Sequence, residues 1–312
     1  MAQIQSIIHP AGIQASRVSH LWWVMFWVCA VVWCLVAVAA TIAIVRGRRG
    51  TATASDAQLG RAVAVAGSLS LVALLGLLFQ SVVIGRALDT LRSPDALRIQ
   101  VTGNQWWWDV QYDNPVPSLR VTTANEIHIP VGRAIRFDLR ATDVIHSLWI
   151  PNLQGKIDLV PGRLNELWLR ADKAGVYRGQ CAEFCGLQHA NMALVVVAEA
   201  SDDFERWLTA NRAPAPPPQT PEQQRGREVV ERGPCAMCHN ITGTTAGGRT
   251  APDLTHIASR STIGAGTLPN TKGHLAGWIA DPQQVKPGNR MPPPGLTGEE
   301  LHAVLAYLET LK

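Results

Sequence analysis

Two long apolar stretches lie near the start of the chain. Leu21 to Val45 contains no charged residue over 25 positions, and Ala62 to Ile84 contains none over 23. About 20 apolar residues cross the roughly 30 Å hydrocarbon core of a bilayer as a helix. A soluble helix of that length would show a polar stripe, and a cleaved signal peptide has an apolar region of only about 7–15 residues. The pattern therefore predicts two membrane spans, 21–45 and 62–84, in a hairpin over residues 21–95.

The loop between the spans is basic. It carries Arg46, Arg48, Arg49 and Arg61 against Asp56, whereas the segment 1–20 carries only Arg17. The positive-inside rule places such a loop in the cytoplasm. Both ends of the chain, with everything after about Gly85, are then expected on the outer side of a bacterial inner membrane. The formal net charge of +4 follows from these arginines and is no argument for nucleic acid binding.

Over residues 96–200 the long apolar stretches give way to short runs in which apolar and polar residues alternate. The candidate strands are Leu97–Val101, Arg120–Thr123, Glu126–Ile129, Ala134–Arg140, Glu166–Leu169 and Ala193–Ala198, separated by prolines and glycines. Many short strands with such turns predict an all-β sandwich or barrel. About 105 residues suit one such domain.

The residues after 200 show a proline-rich segment followed by helical signals. A short helix is expected over 202–211, and the segment 213–221 holds five prolines in nine residues, which predicts an extended linker. We place the linker region at 201–221 and a helical domain at 222–312. Its signals are a helix over 222–232 and a capping box at Thr297 and Glu300. An extended tether would let this last domain swing.

Two cysteines, a histidine and a methionine lie within twelve residues of the β region. They are Cys181, Cys185, His189 and Met192. Thiolate, thioether and imidazole ligands select copper, zinc or iron–sulfur centres, and the thioether favours copper over zinc. Two such cysteines can bridge two metal ions, and His146 is the candidate for a second imidazole. His128 lies in an alternating run and is interpreted as a half-exposed strand residue. The cysteine pair alone would also fit a disulfide or a zinc loop.

A second redox motif follows the linker. Cys235, Cys238 and His239 have the spacing of covalent c-type haem attachment, with His239 as the proximal iron ligand. A sixth ligand must come from elsewhere in the domain. Met291, held between Arg290 and three prolines, is the candidate, and His256, His274 and His302 are the alternatives. Methionine opposite histidine would raise the haem potential.

The motif from Cys181 to Met192 resembles subunit II of the haem–copper cytochrome c oxidases. The runs 103–108, 143–147 and 156–165 and the two spans resemble that family too, so the likeness covers roughly residues 10–200. It implies a dinuclear copper centre, CuA, in a cupredoxin-like barrel. The implied ligands are the side chains of His146, Cys181, Cys185, His189 and Met192 and the backbone carbonyl of Glu183. The Glu183 carboxylate would face a magnesium ion shared with subunit I, and Asp143 would support the ligands.

The triple tryptophan 106–108 belongs to the same resemblance. Alternate strand residues share a face, so Trp106 and Trp108 face one side and at least one of them is core. In the family the first aromatic of this motif is where electrons enter, and Trp106 holds that place. This sequence departs from the family at one position. Family members often carry a Glu before the second span, at the mouth of a proton channel into subunit I. Here Asp56 is the nearest acid, so a role in proton uptake is not carried over.

The last 90 residues resemble class I cytochrome c. In that family the carbonyl of the proline in the loop after the haem motif, here Pro252, accepts the proximal imidazole N–H. Together the resemblances predict a multi-domain membrane protein: a two-helix hairpin, a cupredoxin-like barrel and an all-α cytochrome c domain. The expected function is that of subunit II of a caa3-type oxidase, passing electrons from a donor through haem c and CuA to subunit I. The expected partners are subunit I, subunit III and a donor such as a cytochrome c or bc complex.

Three alternatives differ in function. A CuA-bearing nitric oxide reductase subunit would serve another acceptor, which the catalytic subunit would decide. A copper-delivery or assembly protein would need labile surface thiols and no haem. A quinol oxidase subunit II would lack the copper ligands, which are all present here.

Overall fold

The computed structural model describes residues 5–50, 55–89 and 92–312. Within them, residues 5–15 and 92–312 form one compact unit, and the residues from 16 to 89 form another. Two helices fill the second unit, α1 (Ile13–Arg48) and α2 (Asp56–Asp89). Both are long and apolar enough to cross a membrane, with mean hydropathy of 2.8 and 2.4. The predicted spans lie inside these helices, which are longer at both ends.

The residues from 97 to 199 fold into two five-stranded sheets. The strands are β1 (Leu97–Asn104), β2 (Trp107–Tyr112), β3 (Val121–Ala124), β4 (Glu126–Pro130), β5 (Ile135–Ala141), β6 (His146–Trp149), β7 (Ile157–Leu159), β8 (Asn165–Leu169), β9 (Gly175–Cys181) and β10 (Ala193–Glu199). One sheet has the order β3-β2-β1-β5-β8 and the other β4-β10-β9-β6-β7. The pairs β1–β5 and β4–β10 are parallel, and the other pairs are antiparallel.

Alternation along these strands builds the core of the β domain. In β1, Ile99 and Val101 are fully buried while their neighbours are partly exposed. Trp108 and Phe137 are also fully buried, so aromatic area adds to the apolar burial that stabilises the sandwich. Residues 10–15 close one edge, where the Ala11 amide donates to the Asn152 carbonyl over 2.7 Å. This contact of the segment before the first span is not evident from the sequence.

A helix after the last strand, α3 (Ser201–Ala210), covers the outside of the β domain. Its Phe204 is fully buried. Trp207 stacks on the His128 ring with the ring centroids 4.2 Å apart. The His128 Nδ1 lies 2.8 Å from Glu199. His128 is therefore a strand residue, as the sequence predicted, but its side chain is packed rather than half-exposed.

The C-terminal domain, residues 221–312, is mostly helical. Its apolar residues form a separate core, and α4 and α8 cross at Gly226, where the backbones come close together. Thr220 and Thr297 each form a capping box that starts its helix. The elements are α4 (Pro221–Arg232), α5 (Cys235–Cys238), β11 (Thr262–Ile263), β12 (Leu268–Pro269), α6 (Lys272–Ala280), α7 (Pro282–Val285) and α8 (Gly298–Leu308).

The proline-rich linker is extended but it is not free. The Ala215 amide donates to the Thr242 carbonyl over 2.8 Å. The Nε2 of His256 lies 3.1 Å from the Ala213 carbonyl, and its Nδ1 lies 2.7 Å from the Lys312 carbonyl. The linker therefore lies along the C-terminal domain, which is a difference from the expected swinging tether.

Candidate metal centre and haem site

Two buried thiols define the candidate metal centre. Cys181 ends strand β9, and the loop that follows returns to place Cys185 beside it, with the two sulfurs 3.8 Å apart. Only 2% of Cys181 and 3% of Cys185 is exposed. Both thiols are free, so the disulfide alternative is not what the structure shows.

The other sulfur and nitrogen donors converge on this pair. The His146 Nδ1 lies 3.9 Å from the Cys181 sulfur, and the His189 Nδ1 lies 3.6 Å from the Cys185 sulfur. The Met192 sulfur is 3.8 Å from the Cys185 sulfur. His146 opens strand β6, and the other two donors flank a short turn before β10. Two separate segments of one sheet thus bring all five predicted side chains together.

The two thiols and His146 form one proton-sharing network. The hydrogen bond with Cys185 holds the pKa of Cys181 well below its ordinary value, and the same contact raises the pKa of Cys185. Burial alone would lower the pKa of His146, but its contacts with Cys181 and Asp143 outweigh burial and raise it. The lowered pKa of Cys181 favours its thiolate, the form that binds a metal.

Asp143 fixes the orientation of the His146 ring. Its Oδ1 lies 2.9 Å from the His146 Nε2, so an N–H there leaves the Nδ1 lone pair directed at the sulfurs. Metal-bound histidines are held in this way by a carboxylate. Burial would raise the pKa of Asp143, but the hydrogen bonds from His146 and from two backbone amides outweigh it and lower the pKa. Gly103 makes room for the ring, because a Cβ there would lie 2.8 Å from the His146 Cδ2.

The donor set fits a copper pair. Two adjacent thiols, a thioether and two imidazoles are soft and borderline ligands. The Glu183 backbone carbonyl lies 3.2 Å from the Cys181 sulfur, where it can act as a further ligand. The Glu183 carboxylate is partly exposed, and no ion pair or hydrogen bond of it is found among the described residues.

Trp106 of the tryptophan motif lies against the loop that carries Cys185. Trp106 is 8% exposed, and its indole N–H donates to the Cys185 carbonyl over 3.0 Å. Trp108 is core, with its ring centroid 6.1 Å from that of His146. Trp107 is partly exposed, as the alternation of faces predicted. Gly186 has φ of +112°, and a Cβ there would lie 3.1 Å from the Trp106 ring.

The haem motif forms a single helical turn. Cys235 and Cys238 are three positions apart in α5, so both thiols project from one side. His239 follows directly, and its Nδ1 lies 2.7 Å from the Pro252 carbonyl. An N–H on Nδ1 leaves Nε2 free for iron, and burial lowers the pKa of His239 and favours the neutral ring. Two thiols and this imidazole fit covalent haem c.

Met291 lies in a tightly bonded loop. Its amide donates to Asn289 Oδ1 over 2.8 Å, and its carbonyl accepts from Gln283 Nε2 over 2.9 Å. Both ring nitrogens of His256 lie close to backbone carbonyls. His274 is an exposed residue of α6, and its Nδ1 lies 3.0 Å from Thr271 Oγ1. Met291 stays the predicted sixth ligand.

The chain matches two protein-family models. Residues 115–199 match the periplasmic domain of cytochrome C oxidase subunit II, and residues 223–312 match cytochrome c.

Curated relatives carry the name cytochrome c oxidase subunit 2. One from Alkalihalophilus pseudofirmus is 42% identical over 69% of this chain and 61% of its own length. One from Bacillus sp. (strain PS3) is 34% identical over 72% of this chain and 65% of its own length. The chain thus spans less than two thirds of either relative. Among solved structures, the periplasmic domain of subunit II of cytochrome oxidase of Bradyrhizobium japonicum is 33% identical. That match covers 39% of this chain and 96% of that one, with a TM-score of 0.36.

Proposed function

Because this chain joins a cytochrome c oxidase subunit II periplasmic domain to a cytochrome c domain, we propose that it is the electron-accepting subunit of a respiratory terminal oxidase. Electrons would pass from a donor through haem c to CuA and on to subunit I, which reduces oxygen. The observation that carries this proposal is the convergence of three further copper-type donors, two imidazoles and a thioether, on two buried thiols that form no disulfide.

The chain's residues would hold the two groups in different ways. The residues that would hold the copper ions are Cys181, Cys185, His146, His189 and Met192, with the backbone carbonyl of Glu183. Cys235 and Cys238 would bind haem through thioethers, with His239 and Met291 on the iron. When bound, the copper ions would supply one-electron transfer with little rearrangement of these ligands.

The surrounding residues keep these ligands fixed and dry. Asp143 holds the His146 tautomer and Pro252 holds that of His239. Trp106, hydrogen-bonded to the ligand loop, would be the side chain through which electrons reach CuA. The free Glu183 carboxylate would contribute to a magnesium site shared with subunit I. Oxygen ligands of this kind suit magnesium.

The two apolar helices would anchor the chain in a bacterial inner membrane. The basic loop between them would lie in the cytoplasm, and both redox domains would lie outside. Subunit I and subunit III would be the membrane partners, and a cytochrome c or a bc complex would be the donor.

The experiment that tests the copper assignment replaces one bridging thiol. Cys185→Ser should abolish the dinuclear centre, and Met192→Leu should retain copper with altered electronic structure, because the thioether is the weakest ligand. Copper per chain and the EPR hyperfine pattern are the measurements. Cys29→Ser, in the first apolar helix, is the matched control and should leave both unchanged. A native hyperfine pattern in Cys185→Ser would refute the assignment.

The acceptor is tested on the purified complex. Oxygen consumption driven by reduced donor should proceed and should stop in Cys185→Ser. Nitric oxide consumption without oxygen consumption would instead identify a nitric oxide reductase.

A further inference from the structure

Lys286 is a buried lysine for which no carboxylate partner is found among the described residues, and burial lowers the pKa of its amine to about 7. It follows the short helix α7, and only 2% of it is exposed. Its Nζ donates to three backbone carbonyls, those of Trp106 at 2.9 Å, Asn191 at 2.8 Å and Gly264 at 3.0 Å. An ammonium group has three donors, so each N–H of Lys286 has an acceptor.

These three carbonyls belong to three different segments. Trp106 precedes strand β2, and its indole contacts the copper-ligand loop, which is residues 181–192. Asn191 directly precedes Met192 in that loop. Gly264 lies in the turn between β11 and β12 of the C-terminal domain. The Lys286 side chain therefore connects the loop that carries Met291 to two segments of the β domain. These are Asn191, next to the candidate ligand Met192, and Trp106, which contacts the same loop.

Neighbouring contacts continue this interface. Gln188 Nε2 donates to the Pro287 carbonyl over 2.8 Å, and the Ala193 amide donates to the Ala265 carbonyl over 2.9 Å. Farther along, the Ser261 amide donates to buried Glu126 over 2.9 Å. The C-terminal domain is thus docked on the β domain beside the copper-ligand loop.

The other cation of this loop is in a weaker position. Arg290 Nη2 lies 3.3 Å from Asp143 Oδ2 and 3.1 Å from Gln105 Oε1, but its side chain is 67% exposed. Solvent screens an exposed ion pair, so its contribution is small. A buried charge must keep its acceptors, because their loss leaves it unsolvated.

We propose that Lys286 is the positioning residue that fixes the cytochrome c domain on the CuA domain, in the orientation used for electron transfer between them. The proposal rests on the proposed function for its purpose, but the docking itself can be measured separately. Holding donor and acceptor in a fixed geometry is a general source of rate. Electron transfer also slows steeply as the separation of its two centres grows.

The test compares Lys286→Met with Lys272→Met in the full-length chain carrying copper and haem. Methionine keeps the length of the side chain and removes all three donors. Lys272 lies in the same domain but is 58% exposed and pairs with Glu309 on the surface, so its variant is the matched control. Should Lys286→Met not fold, Lys286→Gln is measured in the same way.

The first readout is hydrogen exchange at the Ala193 amide, which donates across the interface. In Lys286→Met its exchange should accelerate by about tenfold or more, the factor expected for losing a charge-assisted hydrogen bond. Exchange in α4 and α8, the haem absorption spectrum and the copper EPR spectrum should stay unchanged. Lys272→Met should behave as the wild type. Unchanged protection of Ala193 in Lys286→Met would overturn the proposal.

The second readout is the rate at which a flash-reduced haem domain reduces the copper centre. It should fall about tenfold or more in Lys286→Met, with reduction of the haem by external donor unchanged. An unchanged rate would overturn the role of Lys286 in electron transfer. A wild-type chain in which no electron passes between the centres would refute the proposed function. Accelerated Ala193 exchange in Lys286→Met would still support the docking role in that case.

Discussion

The close crossing of α4 and α8 predicts that an alanine at Gly226 lowers the stability of the C-terminal domain, whereas an alanine at Gly277 in α6 raises it. A Cβ added at Gly226 would lie 1.9 Å from the Ala303 carbonyl oxygen and 2.9 Å from the Tyr307 Cβ. Ordinary contact begins near 3.4 Å, and the nearest obstacle is backbone, which cannot rotate away. Gly226→Ala therefore requires the two helices to separate by about 1.5 Å.

The size of the effect follows from two opposing terms. Overpacking costs about 1–3 kcal/mol, and the rigid obstacle puts this site at or above the upper end. Alanine returns up to about 1 kcal/mol of helix propensity. The net loss is then about 2 kcal/mol. For a domain of this size, each kcal/mol shifts the midpoint by about 4–8 °C, so the midpoint should fall by roughly 8–16 °C.

The matched control is Gly277→Ala in the interior of α6. A Cβ there meets nothing within 4 Å, so the substitution should stabilise the domain by about 0.5–1 kcal/mol. Thermal unfolding is followed by circular dichroism in the haem absorption band, which reports this domain alone. A Gly226→Ala midpoint equal to or above that of wild type would refute the close crossing.

Two further predictions concern pH and the iron ligand. Burial and the neighbouring charge of Asp253 raise the pKa of Asp109 to about 6. The folded state thus favours the neutral acid more than the unfolded chain does. The free energy of unfolding therefore falls as the pH rises from about 4 to 6. Asp109→Asn should remove that fall, up to about 3 kcal/mol, in unfolding measured from pH 4 to 7; an unchanged pH slope would contradict it. Met291→Ala should keep the covalent haem but lose the sulfur–iron charge-transfer band and lower the potential, whereas His256→Ala should keep both. The reverse pattern would identify His256 as the ligand.

Much of the fold could be predicted because it follows local periodicity. The fold class is confirmed: two apolar helices, a cupredoxin-like β domain and a helical cytochrome c domain. The runs at 126–129 and 193–198 became β4 and β10 within one residue of their predicted ends. The capping box at Thr297 started α8 as expected.

The strands that went unpredicted have weaker alternation. β6 is buried at three successive residues, and β9 contains Gly175 and Gly179, which carry no side-chain signal. Gly179 is small for a reason that only the fold reveals, because a Cβ there would lie 2.9 Å from the Trp149 carbonyl. β2 begins inside the tryptophan motif, where the sequence predicted the alternation of faces but not the bounds of the strand.

The candidate site was predictable where it depends on side-chain chemistry. Thiols, imidazoles and thioethers are rare, so their spacing carries information, and the structure brings the five copper-type donors together. The role of Lys286 could not be predicted, because its acceptors are backbone carbonyls that every residue possesses. The docking of the two domains depends on such contacts, and hence a mobile tether was the natural expectation.

The buried character of the Lys286 contacts has a consequence for turnover. Two separate electron carriers must part after every exchange, so their interfaces are small, wet and short-lived. Residence time in a complex is governed mainly by the dissociation rate, and a buried cation held by three carbonyls would make release slow. Two domains on one chain never need to part. Covalent linkage thus frees this interface from the requirement of rapid dissociation, and it can use long-lived contacts that a diffusing donor could not.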